Sequence, residues 1–226
     1  MSELQTKTIK STFSLFGNFS KLNNRESDIR RVFDGYQIVV QQENLPNGVP
    51  AKVYRGINSN VAFTIRAYRI DIEFGFINDT ITVADFIENC KTVADTMTSI
   101  DTIRGNRIAY NSVDFVVNDG DLVPLCNKIF NVEEVFGGQA KEINLRVNHI
   151  KVINGEEMNS VFIIQDGAVT HNQTKEKLNA LFLNKDINTV AQNTTVRFDL
   201  KDVDKYLSDF VLEAEDRNKT FLSKLK

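Results

Sequence analysis

Apolar residues recur at steps of three and four in two stretches of the chain, and this spacing is typical of amphipathic helices. The first stretch covers about residues 83–103. It follows Thr82-x-x-Asp85, a helix-start pattern in which the Thr hydroxyl accepts a bond from a free backbone amide, and Gly105 is placed to end it. The second stretch covers about residues 201–225. We therefore predict two long helices, each with an apolar face to bury.

Elsewhere the apolar residues alternate with polar ones, which indicates strands with one buried face. The alternation is clearest in residues 68–76, and residues 61–65 alternate in the opposite phase, so a bulge or tight turn is expected near Ala67. Further strands are predicted at residues 36–42, 52–55, 107–117, 142–153 and 160–165, the last two as a hairpin around Asn154-Gly155.

Two segments between these elements complete the α+β pattern. A short helix is predicted at residues 123–135, and residues 178–190 fit either a short helix or a strand, with a strand favoured from about Leu181. Strands then lead into a long helix twice. This order suggests an internal repeat of two antiparallel sheet-plus-helix units, side by side or in one continuous sheet. Residues 1–226 are predicted to form one compact protein with halves at 30–118 and 119–226.

Composition and charge narrow the classes of partner that the protein is expected to bind. An apolar share of 42% and a charged share of 25% are those of a folded globular protein. A net charge of -3 and a pI near 5.5 provide no long-range attraction for phosphate backbones, so a nucleic-acid partner is disfavoured. The first 31 residues have six Lys or Arg against three acids, which we interpret as a solvated face. The chain lacks a signal-peptide-like start and any run of about 18 apolar residues, so we expect a cytoplasmic protein without a membrane partner.

Motifs that would bind a cofactor or start a reaction are missing from the sequence. Neither a phosphate-binding glycine loop nor a nucleophile elbow occurs, and Gly137-Gly138 is interpreted as a turn. Cys90 and Cys126 are expected to be reduced thiols, with Cys90 on the apolar helix face. His149 and His171 belong to no ligand or catalytic spacing. We therefore predict no metal and no cofactor, and an enzymatic function is disfavoured.

Carboxylates offer the one catalytic alternative. A metal-dependent nuclease or phosphotransfer site needs several acids around a divalent ion, often with a Lys near the attacking water. Asp186 followed by Asp199 and Lys201 provides such a set, although Asp199 also lies where a helix cap is required. Asn118-Asp-Gly-Asp121 has oxygen ligands for calcium but lacks the full loop, so a turn is preferred.

Three segments carry a resemblance to a known group of proteins. They are Asp85-Phe-Ile-Glu-Asn-Cys, Gly105-Asn-Arg-Ile-Ala-Tyr-Asn111, and Leu183-Asn-Lys-Asp-Ile-Asn188 before the long terminal helix. Together they resemble a sporadically distributed family of uncharacterised bacterial and phage α+β proteins, over about residues 30–226. The spacing before Tyr110 is tighter than in that family, and Asn188 stands where an acid is common. The resemblance implies an architecture and no catalytic residues.

Three functions remain open. The first is a non-enzymatic module of a bacterium or phage that binds another protein, or a second copy of itself, through a sheet face or edge. The second is the metal-dependent nuclease of Asp186, Asp199 and Lys201. The third is a binder of a small ligand or peptide where the two halves meet, for which the candidate residues are Arg66, Arg69 and Arg107.

Overall fold

A computed structural model of the protein describes residues 6–44, 48, 50–76, 82–117, 123–170 and 175–225. Within these ranges the strands are β1 (Thr6–Phe16), β2 (Gln37–Asn44), β3 (Pro50–Asn58), β4 (Val61–Ile65), β5 (Arg69–Gly75), β6 (Arg104–Gly105), β7 (Arg107–Val117), β8 (Asn144–Ile153), β9 (Glu156–Thr170), β10 (Lys177–Thr189) and β11 (Phe198–Asp199).

Five α-helices are described in the same ranges: α1 (Glu26–Val32), α2 (Val83–Thr98), α3 (Val123–Ile129), α4 (Val132–Phe136) and α5 (Val203–Leu225). Short 3-10 turns precede α1 and α5, at Ser20–Asn24 and Leu200–Asp202. The predicted C-terminal helix is thereby confirmed, with its α-helical part 23 residues long. None of the described helices has the length and apolar character needed to cross a membrane.

Nine strands form one antiparallel sheet in the order β2-β3-β4-β5-β1-β7-β10-β9-β8. The mixture of strands and helices agrees with the predicted α+β class. Of the two predicted arrangements, the strands form the one continuous sheet, and the described residues show no two-unit repeat. The physical reason is β1, which pairs with β5 on one side and β7 on the other and so joins the strands of both groups.

The sheet has a covered face and an open face. On the covered face, alternate strand residues such as Phe13, Ile72 and Ile108 pack with α2 and the first half of α5 into a first core. A second core is formed by β7, β9 and β10 with α3 and the end of α5, around Leu183 and Phe221. The described helices of both cores lie on this one face.

Local sequence chemistry explains where α2 begins and why it is shorter than predicted. The Thr82 side chain accepts a bond from the Asp85 amide, and the Asp85 carboxylate accepts one from the Thr82 amide, so the predicted capping box is present. The helix ends at Thr98 and not at residue 103. Gly105 was wrongly assigned as the stop signal: it lies in β6, where a Cβ would come within 2.3 Å of the Phe16 carbonyl oxygen.

Three turn predictions agree with the structure. Residues 154 and 155 have φ of 52° and 80°, the left-handed pair that a two-residue hairpin turn requires, and they join β8 to β9. The Arg66 amide donates to the Arg69 carbonyl at 2.8 Å, which forms the tight turn expected near Ala67. Gly137 ends α4 with a φ of 74°.

Two ambiguous segments also take definite forms. The segment that fitted either a helix or a strand is the strand β10, which is paired along its length with β9. The helix predicted over residues 123–135 is two helices, because Asn131 adopts a left-handed conformation between α3 and α4.

Candidate functional site

Side chains of four adjacent strands form three rows across the open face. Strand pairing places Phe16 between Arg69 of β5 and Arg107 of β7, which is the first row. The second row contains Asp71, Ser14, Ala109 and Asn188, and the third contains Glu73, Thr12, Asn111 and Asp186. Each row runs from β5 through β1 and β7, and the second and third rows continue onto β10. The register of the central strands thus brings distant residues together on one surface.

These rows line a groove with a volume of about 390 Å³. The side chains at its centre are small: they are those of Thr12, Ser14 and Ala109, and longer side chains lie at the margins. The residues around it are Lys10, Thr12, Ser14, Phe16, Arg69, Glu73, Arg107, Ala109, Asn111, Asp186 and Asn188. We refer to this set as the open-face groove. Its lining is mostly polar, unlike the apolar lining of a cavity in a hydrophobic core.

One end of the groove is organised around a buried carboxylate. Asp71 Oδ1 accepts bonds from Arg69 Nε at 2.6 Å and Ser14 Oγ at 2.7 Å, while its Oδ2 accepts one from Arg66 Nη1 at 2.9 Å. Arg69 Nη2 also donates to Ser14 Oγ at 3.2 Å. Because Asp71 is bonded on both oxygens, Arg69 is held in a fixed position at the groove margin.

Arg107 is held differently. Its guanidinium carbon lies 5.1 Å from the centre of the Phe16 ring, and that of Arg69 lies at the same distance from this ring. The Arg107 Nε is buried without a hydrogen-bond partner, and no ion pair joins Arg107 to another described residue. Cation–π stacking leaves the N–H edge of a guanidinium free. Arg107 can therefore donate to a molecule in the groove.

Acids and amides occupy the other end. Glu73 contacts Lys10 Nζ at 2.5 Å. Asp186 Oδ1 accepts a bond from the Asn188 amide at 3.1 Å, and Asn188 accepts one from Asn159 at 3.2 Å. The groove thus has an unpaired cation at one end and two carboxylates with local partners at the other.

The structure separates the predicted site residues into two groups. Arg69, Arg107 and Asp186 all line the groove, and Arg66 adjoins it through Asp71. Asp199 belongs to β11 in a separate two-stranded sheet, where its carboxylate caps the 3-10 turn by accepting from the Lys201 amide at 3.2 Å. Neither Asp199 nor Lys201 is among the groove residues. Across the described part of the chain, no group of three His, Cys, Asp or Glu residues is arranged to hold a metal ion.

Other reactive groups lie on the covered face. Burial raises the pKa of the Cys90 thiol well above its usual value and raises that of Cys126 to about 11, so both are held as thiols. His149 lies beside Arg217 and Glu213, and its pKa is lowered by burial and by the Arg217 charge. His171 and the segment Asn118–Asp121 lie outside the described residues. None of these described groups reaches the groove.

The sequence did not identify the β1 part of the groove. Lys10, Thr12, Ser14 and Phe16 occupy every second position of β1, which is the signal of a strand face. The segment was interpreted as a solvated face because no aromatic residues alternate with its basic residues as they would in a nucleic-acid-binding arm. Without β1, nothing in the sequence connects Arg69 with Arg107.

Comparison with known proteins adds no functional assignment: no family model matches the chain, and no curated protein matches it. The resemblance of residues 30–226 to the bacterial and phage family therefore stays a prediction, as does the bacterial or phage origin that it implies.

Proposed function

We propose that this chain is a non-enzymatic binding module that holds an extended segment of another protein in the open-face groove. The observation that carries the proposal is the asymmetry of the sheet. The described helices of both cores pack on the covered face, whereas the opposite face presents a polar groove with an unpaired arginine.

The groove has the dimensions of a short peptide. It crosses four strands, which lie about 4.8 Å apart, so its width across the sheet is roughly 14 Å. An extended chain advances about 3.3 Å per residue, so about four residues would cross it. The Asn111 and Asn188 amides and the Ser14 and Thr12 hydroxyls offer donors and acceptors that can pair with peptide groups. A partner segment of this length would run across the strands along one row.

A small-ligand binder is the second candidate, and one observation favours it. A volume of about 390 Å³ falls within the usual range of small-molecule pockets. The groove also spans the pairing of β7 with β10, where the predicted halves meet. Thermal unfolding with a panel of nucleotides and metabolites tests this alternative, because selective binding to the native state raises the unfolding temperature.

Geometry gives the nuclease alternative less support. Asp186 lines the groove, while Asp199 caps a turn in the other sheet. Substitution of both by Asn would abolish magnesium-dependent cleavage if these acids served together. We do not adopt this alternative.

Site-specific photocrosslinking in cells of the organism that carries the gene tests the protein-binding proposal. A photoreactive phenylalanine analogue is placed at Lys10 or Asn111, both exposed on the open face, and at Asp216 as a matched exposed position on α5. We expect the two open-face positions to form an adduct with the same protein, at one contiguous segment identified by mass spectrometry. The Asp216 position should not form it.

Two results would overturn the proposal. One is an adduct of equal yield at Asp216, which would show contact without preference for the open face. The other is different proteins captured at Lys10 and Asn111, which line the same groove and must contact the same partner.

A further inference from the structure

We infer that Arg107, stacked with Arg69 against Phe16, forms a carboxylate subsite of the open-face groove, which receives an acidic side chain of the bound segment. This inference rests on the proposed function and adds the chemical class of the group that is recognised. It concerns the first row of the groove only.

The charges at this end leave Arg107 in excess. Arg69 and Arg66 share the Asp71 carboxylate, and Glu43 lies 3.7 Å from Arg66. These two cations and two anions balance. Arg107 has no counter-ion within the described residues, so the end of the groove carries one uncompensated positive charge.

The Arg107 donor is also preorganised. Both guanidinium groups lie 5.1 Å from the Phe16 ring centre, so the ring restricts Arg107 before a ligand arrives. Its buried Nε has no hydrogen-bond partner. A carboxylate in the groove can bond the two terminal nitrogens of Arg107 through a charge-assisted, bidentate contact.

Space for the carboxylate lies next to Arg107 on the same strand. Ala109 is the following residue on this face, and its methyl group leaves a recess between Ser14 on β1 and Asn188 on β10. A larger side chain at residue 109 would fill that recess without removing any charged group. Ala109 therefore provides a test that separates shape from charge.

The other acids of the groove favour a singly charged group. Glu73 and Asp186 lie in the third row, two residues along the strands from the second. A phosphate with a charge near -2 would be repelled by both more strongly than a carboxylate with a charge of -1. An acidic side chain of a polypeptide satisfies Arg107 with less repulsion, which is why we assign a carboxylate.

Nuclear magnetic resonance of the arginine side chains tests this assignment directly. The full chain is titrated with a blocked pentapeptide that has one central glutamate, with the same peptide carrying glutamine, and with inorganic phosphate. We expect the glutamate peptide to shift the Arg107 Nε–H resonance saturably, and the glutamine peptide to shift it at least tenfold less at equal concentration. A response to phosphate but not to the glutamate peptide would overturn the assignment.

Two variants and one control complete the test. Ala109→Leu fills the recess and should weaken glutamate-peptide binding by at least fivefold, and Arg107→Gln should abolish it, each with unfolding behaviour close to that of the parent. Arg55→Gln removes an exposed arginine of β3 on the same face and should bind as the parent does. Equal binding by the parent and the Arg107→Gln variant would also overturn the inference.

The two proposals fail separately. Open-face photocrosslinks with an unresponsive Arg107 would leave the protein-binding function standing and refute the carboxylate subsite. A responsive Arg107 without any open-face adduct would support the subsite and refute a protein partner.

Discussion

Lys185 is the most deeply buried cation described in the molecule, with 1% of its surface exposed. It lies on the covered face, where Nζ donates to Asp114 and, at 3.3 Å, to Asn218 of α5. Burial lowers the pKa of Lys185, because the charged amine has lost its water, while Asp114 opposes the change. The Asp114 Oδ1 has no hydrogen-bond partner. The pair is therefore costly to bury and more costly to break.

Replacing one member of this pair should destabilise the fold strongly. Lys185→Met leaves the Asp114 carboxylate buried without its counter-charge, bonded by the Asn218 side-chain amide, so we expect a loss of about 3–5 kcal/mol in the free energy of unfolding. The double variant Lys185→Met with Asp114→Leu removes both charges and should recover most of that loss. Urea unfolding of the parent and both variants measures the difference. A double variant as unstable as Lys185→Met would contradict this account.

Single residues of the groove could be predicted only in part. Arg69 and Arg107 were named from the sequence as cations for a bound ligand, and Asp186 as an acid of a metal site; all three line the groove. Ala109 and Phe16 could not be identified in this way. Their importance comes from register, which places a methyl group beside Arg107 and a ring between two guanidinium groups. Pairing partners across the sheet are set by tertiary contacts that a single sequence does not contain.

At the level of elements, the start of α2 is the local feature that the sequence predicts best. The reciprocal bonds between Thr82 and Asp85 use only residues three positions apart, so no tertiary information is needed. Hydrogen bonds donated by the Thr82 backbone amide and then by its hydroxyl also lower the pKa of Asp85.

Thr82→Ala should therefore reduce the free energy of unfolding by about 1 kcal/mol, since it removes the acceptor for the Asp85 amide. Thr92→Ala is the matched control: Thr92 is exposed in the middle of α2, where alanine favours the helix, so we expect no loss. Thermal or urea unfolding of both variants provides the comparison. An equal effect at the two positions would show that the cap contributes nothing specific.

Two other elements show where pattern reasoning fails. Ile100 and Ile103 continue the apolar spacing of α2, yet they follow its end and pack on the first core from an irregular segment. β1 was missed for the opposite reason, since the covered side of its strand pattern includes Ser11. In both segments the prediction followed the pattern of apolar residues, which does not by itself specify the backbone conformation. Burial by neighbouring elements sets the final conformation.

On the scale of the whole molecule, both cores include residues of the same nine-stranded sheet and of the same helix, α5. The first includes Leu15 and the second includes Leu183, and α5 contributes residues to both. The halves 30–118 and 119–226 meet through the paired strands β7 and β10. The shared elements favour one cooperative unit.

We expect Leu15→Ala and Leu183→Ala each to lower the free energy of unfolding by about 2–5 kcal/mol. In both variants the whole protein should still unfold in a single transition. Both side chains are fully buried, so each substitution leaves a cavity. Urea unfolding followed by backbone circular dichroism and by a fluorescent label in each core gives the measurement. Transitions that separate between the two labels in either variant would show that the cores unfold independently.

The position of β1 has a consequence for synthesis. A ribosome makes residues 6–16 before the two strands that pair with them, which are β5, at residues 69–75, and β7, at residues 107–117. Until residue 117 has been made, one backbone edge of β1 lacks its complete partner strand. Such an edge can pair with another nascent chain. Slow translation or crowding of ribosomes on one message should therefore lower the yield of folded protein before any folded-state property is affected.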